Sequence, residues 1–152
     1  MTASKSRMIA ALIGAAIIAA LGFAFLTHVL PRLQEAKQIA SGQSVYAANC
    51  AQCHGAKLEG QPDWQTRLPN GRLPAPPHDA SGHTWHHSDE VLFNVTRNGL
   101  KPYAGENYES DMPAFAGILS DDELRAVIAY IKSTWPERER EYQRRLTNKQ
   151  GG

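Results

Sequence analysis

The longest apolar stretch of the chain lies near its beginning. From Met8 to Leu26, nineteen consecutive residues carry no charge, and nearly all are Ala, Ile, Leu, Phe or Gly. A helix of this length measures roughly 28 Å, because each residue adds about 1.5 Å, and the hydrocarbon core of a bilayer has a similar thickness. Pro31 and Arg32 follow and are expected to end the run. The pattern predicts a membrane-spanning helix over residues 8–30.

Basic residues precede this stretch, and their position predicts its orientation. Lys5 and Arg7 lie in the first eight residues, which contain no acid. The positive-inside rule therefore places residues 1–7 in the cytoplasm and the chain after Pro31 on the opposite side of the membrane. A cleaved secretory signal is the alternative, although its apolar core would be shorter, at about 7–15 residues. Both interpretations export the rest of the chain.

Farther along, apolar residues recur with helical spacing. Residues 34–49 are compatible with a helix that Gly42 interrupts. Its apolar side contains Ala36, Ile39, Ala40 and Tyr46. Ser88 is expected to cap a second helix, since Asp89 and Glu90 follow it and favour the first turn. This helix is predicted to end near Gly99.

The third predicted helix begins at Ser120, where Ser120 and Glu123 have the spacing of a capping box. Its apolar side contains Leu124, Val127, Ile128 and Ile131. Trp135-Pro136 should end or kink this helix. The charged tail, 136–152, contains a further candidate helix over 138–146, supported by the pair Glu141–Arg145. These segments indicate an all-α fold.

Composition limits the class of protein. The chain has 152 residues, enough for one domain plus an anchor or tail, and its net charge of +1 gives no indication of nucleic-acid binding. Only two cysteines occur, Cys50 and Cys53. A disulfide across so short a loop would restrict the unfolded chain little, so a structural staple is a poor explanation. The two cysteines are therefore expected to have a chemical role rather than a structural one.

Residues 50–54 read Cys50-Ala51-Gln52-Cys53-His54 and match C-x-x-C-H, the attachment sequence of c-type haem. Each thiol can add to one haem vinyl group, and His54 is then held beneath the iron as the proximal ligand. A thioredoxin-like dithiol needs no following histidine, and a zinc ribbon needs a second cysteine pair. The motif predicts one covalent haem c. The bound group also explains the long proline-rich loop 55–82, which can pack on it.

Met112 is the candidate for the second axial ligand. Met1 starts the chain and Met8 lies at the edge of the apolar stretch, so neither is expected to reach the iron. Pro113 biases Met112 toward an extended backbone, which helps to hold its thioether. A methionine that fills a gap in the core is the alternative. The polar flanks of Met112 do not resemble a core element.

A histidine cluster offers rival ligands. It comprises His78, His83, His86 and His87. One of them could replace Met112, or the cluster could bind copper or zinc, but no regular liganding spacing is present. These histidines are expected on the surface or bonded to haem propionates, with Trp85 against the macrocycle.

Residues 34–135 resemble the class I c-type cytochromes, in which three to five helices surround one covalent haem. The resemblance implies that a C-terminal helix crosses the first helix, with Tyr130 contacting Gly42 and Tyr46. It also implies that a proline carbonyl, of Pro76 or Pro77, accepts the free N–H of the proximal histidine. The segment 112–124 is especially similar to bacterial membrane-anchored members, which implies an inner-membrane anchor and a periplasmic haem domain.

These features predict an electron carrier rather than an enzyme, with redox proteins as partners and no small-molecule substrate. The carrier would serve a respiratory or photosynthetic chain. A haem relay subunit of a larger membrane oxidase or dehydrogenase is the alternative, and a peroxidase-like enzyme would need an open iron site. Residues 105–124 contain six acids and no Lys or Arg. Either they attract basic partners near the haem edge, or three of them merely begin a helix.

Overall fold

The computed structural model describes residues 2–150, without the side chains of residues 2–6, 8–11 and 150. Within this range, no strand is formed, and the prediction of an all-α fold is confirmed. The helices are α1 (Thr2–Ala24), α2 (Leu30–Asn49), α3 (Ala51–His54), α4 (Asp89–Asn98), α5 (Lys101–Ala104), α6 (Asp121–Ser133) and α7 (Glu137–Gln150). A π-helical turn occupies Phe25–Val29, and a 3-10 turn occupies Thr84–His86.

The chain divides into two units between Lys37 and Gln38. The helical stretch Leu12–Asn49, near the N-terminus, contains an 18-residue window that is apolar enough to cross a membrane, and none of that window is buried. A signal sequence would pass the same test. Met1 and the side chains of Lys5 and Met8, used above, lie outside the described residues.

The helical backbone continues beyond the apolar run, because α2 begins at Leu30 and includes Pro31. A proline inside a helix lacks an N–H donor, and its ring crowds the carbonyl four residues earlier, here that of Thr27. The turn Phe25–Val29 is widened into π-helical geometry just before it. The helix therefore accommodates Pro31 with a local change of hydrogen bonding.

The second unit is built around the predicted crossing of α2 and α6, which is confirmed. Gly42 is buried, and a Cβ placed on it would lie 1.9 Å from the carbonyl oxygen of Ala126 and 3.0 Å from the Cβ of Tyr130. Only a glycine therefore permits this approach. The rings of Tyr46 and Tyr130 lie beside it, with centroids 5.5 Å apart.

The predicted helix signals also hold. Ser88 accepts a hydrogen bond from the backbone N–H of Val91 at the start of α4, and both bonds of the Ser120–Glu123 capping box are present. The apolar side of α6 is buried as predicted, and α4 packs against α6. The main hydrophobic cluster consists of Val45, Tyr46, Leu58, Val127, Ile128, Ile131 and Trp135.

The charged tail forms α7, longer than the helix predicted over 138–146, and it includes the Glu141–Arg145 pair at 3.0 Å. This helix packs against the 3-10 turn of the second unit. Gln143 is 1% exposed, and its Nε2 donates to the carbonyl of His87 at 3.2 Å and to Asp89 Oδ1 at 2.7 Å. Asp89 also donates its backbone N–H to Thr147 Oγ1. The tail is thus part of the compact unit.

Candidate functional site

The three residues of the C-x-x-C-H motif meet on α3. Cys50 immediately precedes this helix, and its carbonyl accepts the backbone N–H groups of both Cys53 and His54. Both cysteines are free thiols; Cys50 is half-buried against the hydrophobic cluster, whereas Cys53 is exposed. Burial, followed by the nearby Cys53, raises the pKa of the Cys50 thiol to about 11. The motif thus groups two free thiols and one imidazole in a single turn of chain.

The imidazole of His54 is held in one tautomer. Its Nδ1 lies 2.8 Å from the carbonyl oxygen of Pro76, which can only accept a hydrogen bond. Nδ1 therefore carries the proton, and Nε2 carries the lone pair that a metal ion requires. His54 is buried, and this burial lowers its pKa, although the bond to Pro76 acts in the opposite direction. Of the two prolines expected to serve here, Pro76 does so.

These donors fit a covalently bound haem. Two free thiols and a neutral imidazole on one short helix are the groups that c-type attachment uses. His54 already has the tautomer and the carbonyl partner that orient a ligating histidine. Cys50 and Cys53 would hold such a group, and His54 would bind its iron.

Met112 lies on a separate loop, between α5 and α6. It is half-buried, and its backbone N–H donates to Ser110 Oγ at 3.0 Å. The residues before it, Glu109 and Asp111, form ion pairs with Arg72. The loop is therefore tied to the proline-rich segment 55–82, while Met112 as axial ligand stays a prediction.

Arg72 is a residue that sequence reasoning missed. It lies 37 residues before Glu109 and 39 before Asp111, so no local spacing connects them. The two carboxylates raise the pKa of Arg72. Arg97 similarly pairs with Asp121 at 3.2 Å. Three of the six acids in residues 105–124 thus have arginine partners from other segments. These arginines reduce the net negative charge of the surface that was considered above as a site for basic partners.

The histidine cluster differs in part from the expectation. His83 and His86 are exposed as predicted, but His78 stacks on His54, with ring centroids 4.0 Å apart. Burial, and then the neighbouring His54 and His83, lower the pKa of His78 to about 3. Among the described residues, no three His, Cys, Asp or Glu side chains are grouped to hold a metal ion.

Trp85 lies against the C-terminal helix and the main hydrophobic cluster. Its ring stacks on His86 at 3.7 Å and meets Tyr142 edge-on at 5.4 Å. Its Nε1 donates to the carbonyl of Ala80 at 3.4 Å. Trp85 therefore contacts α7, whereas the sequence analysis considered only a contact with the haem macrocycle.

Comparisons with known proteins agree with this geometry. The sequence model of the family described as "Cytochrome c" matches residues 39–135. Cytochrome c-555 of Prosthecochloris aestuarii is 31% identical over 107 residues, which are 64% of this chain and 88% of that protein. Cytochrome c6 of Diacronema lutheri is 29% identical over 99 residues, covering 62% of this chain and 94% of that protein. Both small proteins are matched over most of their length.

A third relative is the Cbb3-type cytochrome c oxidase subunit FixP of Sinorhizobium medicae, which is 26% identical over 104 residues. That match covers 68% of this chain but 32% of the subunit, so the chain spans about a third of this relative's length. No solved structure matches the chain significantly.

Proposed function

This chain belongs to the cytochrome c family, whose members bind haem c covalently, and we propose that it is a membrane-tethered, single-haem carrier of electrons. The observation that carries this proposal is the grouping on α3 of two free thiols and a buried imidazole whose Nδ1 is bonded to Pro76. In this arrangement Cys50 and Cys53 would form the thioether bonds to the haem. His54 and Met112 would bind its iron.

A haem held there would accept one electron from a donor protein and pass it on to an acceptor. The residues of this chain influence which oxidation state of the iron is favoured. The buried His54 offers a neutral nitrogen, and the thioether of Met112 is also neutral, which favours the less charged state of the iron. With both ligands in place, no open position is left for a substrate, and the protein acts as a carrier rather than as an enzyme.

Haem attachment can be tested on material matured in a bacterial periplasm. We expect red protein whose pigment survives acid–acetone extraction, because thioether bonds are not broken by this treatment. Cys50→Ala and Cys53→Ala each remove one bond, and the double variant should lose its pigment to the solvent. Colourless wild-type protein, or extractable pigment, would overturn the proposal. Ser44→Ala, an exposed change on α2, is the control.

The membrane tether and the periplasmic location belong to the proposal as well. They are supported by the apolar window within the helical stretch Leu12–Asn49 and by the basic residues before it. Alkaline phosphatase, which is active only when exported, should be active when fused after Leu33. Washing with carbonate should leave the protein in the membrane fraction. An inactive fusion contradicts the orientation, and release by carbonate contradicts the tether.

A relay subunit of a larger membrane oxidase is the second candidate, favoured by the likeness to FixP, an oxidase subunit by its name. In that case electrons would pass through this chain to a catalytic partner. Purification of the tagged protein from native membranes in mild detergent distinguishes the two. Stoichiometric integral-membrane subunits support the relay, whereas a protein that elutes alone and reduces soluble redox partners supports the free carrier.

A further inference from the structure

His78 has no role in the proposed function, yet it covers one face of the His54 ring. The two imidazole centroids are 4.0 Å apart, and the ring planes differ by 24°. The hydrogen bond from His54 Nδ1 to Pro76 fixes one atom of the ring but allows it to tilt about that bond. A second ring stacked on its face opposes this tilt. His54 is therefore held by two contacts of different kinds.

The imidazole of His78 is itself fixed by Thr84. Its Nδ1 lies 2.8 Å from Oγ1 of Thr84, which is buried. The hydroxyl of Thr84 also lies 3.4 Å from the carbonyl oxygen of Pro77, which can accept its proton. The bond between Thr84 and His78 thus holds the stacked ring in one orientation.

The backbone of His78 is tied to two distant parts of the chain. Its N–H donates to the carbonyl of Leu58 at 2.8 Å, and its carbonyl accepts Nε1–H of Trp135 at 2.7 Å. Trp135 is 2% exposed and belongs to the main hydrophobic cluster. The residue that covers His54 is therefore supported by packed core, not by a free loop.

We propose that His78 is a positioning residue for His54, which sets the plane of its imidazole and thereby tunes the reduction potential of the haem. This inference rests on the proposed function, because it requires His54 to bind iron. The plane of an axial imidazole decides which iron orbital its π electrons meet. A ring allowed to tilt would change both the electron distribution over the haem and the relative stability of the two oxidation states.

The test compares oxidised proteins by proton NMR of the four haem methyl groups, whose shifts report the plane of the axial imidazole. His78→Leu removes the ring and the bond to Thr84 but keeps apolar volume. We expect a changed order or spread of the methyl shifts and a shifted midpoint potential. His78→Phe keeps a ring on the face of His54 but lacks the bond to Thr84, so it should restore most of the methyl pattern. His86→Leu, an exposed member of the histidine cluster, should match wild type.

A second variant allows the inference to be tested even if His78→Leu fails to fold. Thr84→Val keeps the shape of the buried side chain but removes the hydroxyl that bonds to His78 Nδ1, so it should shift the methyl pattern in the same direction by a smaller amount. If His78→Leu has the methyl shifts and the midpoint potential of wild type, the inference is overturned. If that variant does not mature, the same result in Thr84→Val overturns it. A change in His78→Leu that Phe does not restore and Thr84→Val does not reproduce indicates structural damage and also overturns it.

Failure of this inference is distinguishable from failure of the proposed function. Wild-type protein without covalent, low-spin haem contradicts the function and is seen before any His78 variant is made. Wild-type protein with such a haem, together with an unchanged His78→Leu, contradicts only the positioning role. A changed potential and methyl pattern in His78→Leu, with the covalent attachment intact, supports both.

Discussion

The two proposed axial ligands come from regions that are held in different ways. His54 is 7% exposed, is bonded to Pro76 and is covered by His78, whose backbone is bonded in turn to Trp135 of the core. Met112 lies on a loop whose contacts to the rest of the unit include ion pairs from Arg72. The side chains of Arg72, Glu109 and Asp111 are 36%, 67% and 58% exposed.

The two sides of the site are therefore stabilised by different kinds of contact. Contacts inside a hydrophobic core are hardly affected by salt, whereas exposed ion pairs contribute little and weaken with salt. The His54 side is therefore held more firmly by the protein than the Met112 side.

The largest expected effect comes from breaking the helix crossing that supports the His54 side. In Gly42→Val, the new side chain would collide with the carbonyl of Ala126, so α2 and α6 must separate. We expect a loss of about 3 kcal/mol in the free energy of unfolding, measured by denaturant titration. Ser41→Val adds the same side chain at an exposed position of α2 and is the control. Equal midpoints for the two variants would contradict the crossing.

A smaller effect is expected where α7 meets the rest of the unit. Gln143→Ala removes the amide that donates to the carbonyl of His87 and to Asp89, and it leaves a small cavity. The expected loss in unfolding free energy is about 2 kcal/mol. Asn148→Ala, an exposed change on the same helix, should cost little. If both variants unfold at the same denaturant concentration, α7 does not support the unit.

Met112→Ala tests the proposed role of Met112 as an iron ligand. The half-buried side chain contributes roughly 1 kcal/mol through packing, so the helices should remain folded by circular dichroism. The weak far-red absorption band that reports sulfur bonded to oxidised iron should disappear. Ile118→Ala, a change of an exposed apolar residue in the same loop, should keep the band. Survival of the band in Met112→Ala would remove the axial assignment.

The smallest effect is expected from the ion pairs at the Met112 loop. Arg72→Gln removes the partner of Glu109 and Asp111, and the exposed acids then repel each other. At low ionic strength the unfolding midpoint should fall slightly, by less than in Gln143→Ala, and the difference should vanish in high salt. Lys57→Gln, which removes a cation of the same long loop outside these pairs, is the control. A difference that persists in high salt would contradict an electrostatic cause.

The sequence predicted what depends on near neighbours. The cap at Ser88 and the box of Ser120 and Glu123 were predicted correctly, because each is a contact within three residues. The crossing at Gly42 and Tyr130 was also correct, although here the family resemblance supplied the pairing. C-x-x-C-H is a local pattern as well, and its two thiols and imidazole lie together on α3.

The contacts that were missed or left open join residues far apart in the chain. His54 and Pro76 are 22 positions apart, and the sequence left Pro76 and Pro77 as alternatives. Arg72 and Asp111 are 39 positions apart, and Gln143 and Asp89 are 54. Only the path of the backbone decides such pairs. The continuation of the helix past Pro31 was missed for a different reason, because proline usually ends a helix and the π-helical turn that tolerates it leaves no sequence signal.

The docking of α7 bears on the order in which the protein is made. Chains emerge from the ribosome starting at the amino end, at about 5–20 residues per second. Asp89 finds its partners Gln143 and Thr147 only after some fifty further residues have been added, as their separations of 54 and 58 positions show. During that interval the unit lacks its last closing element.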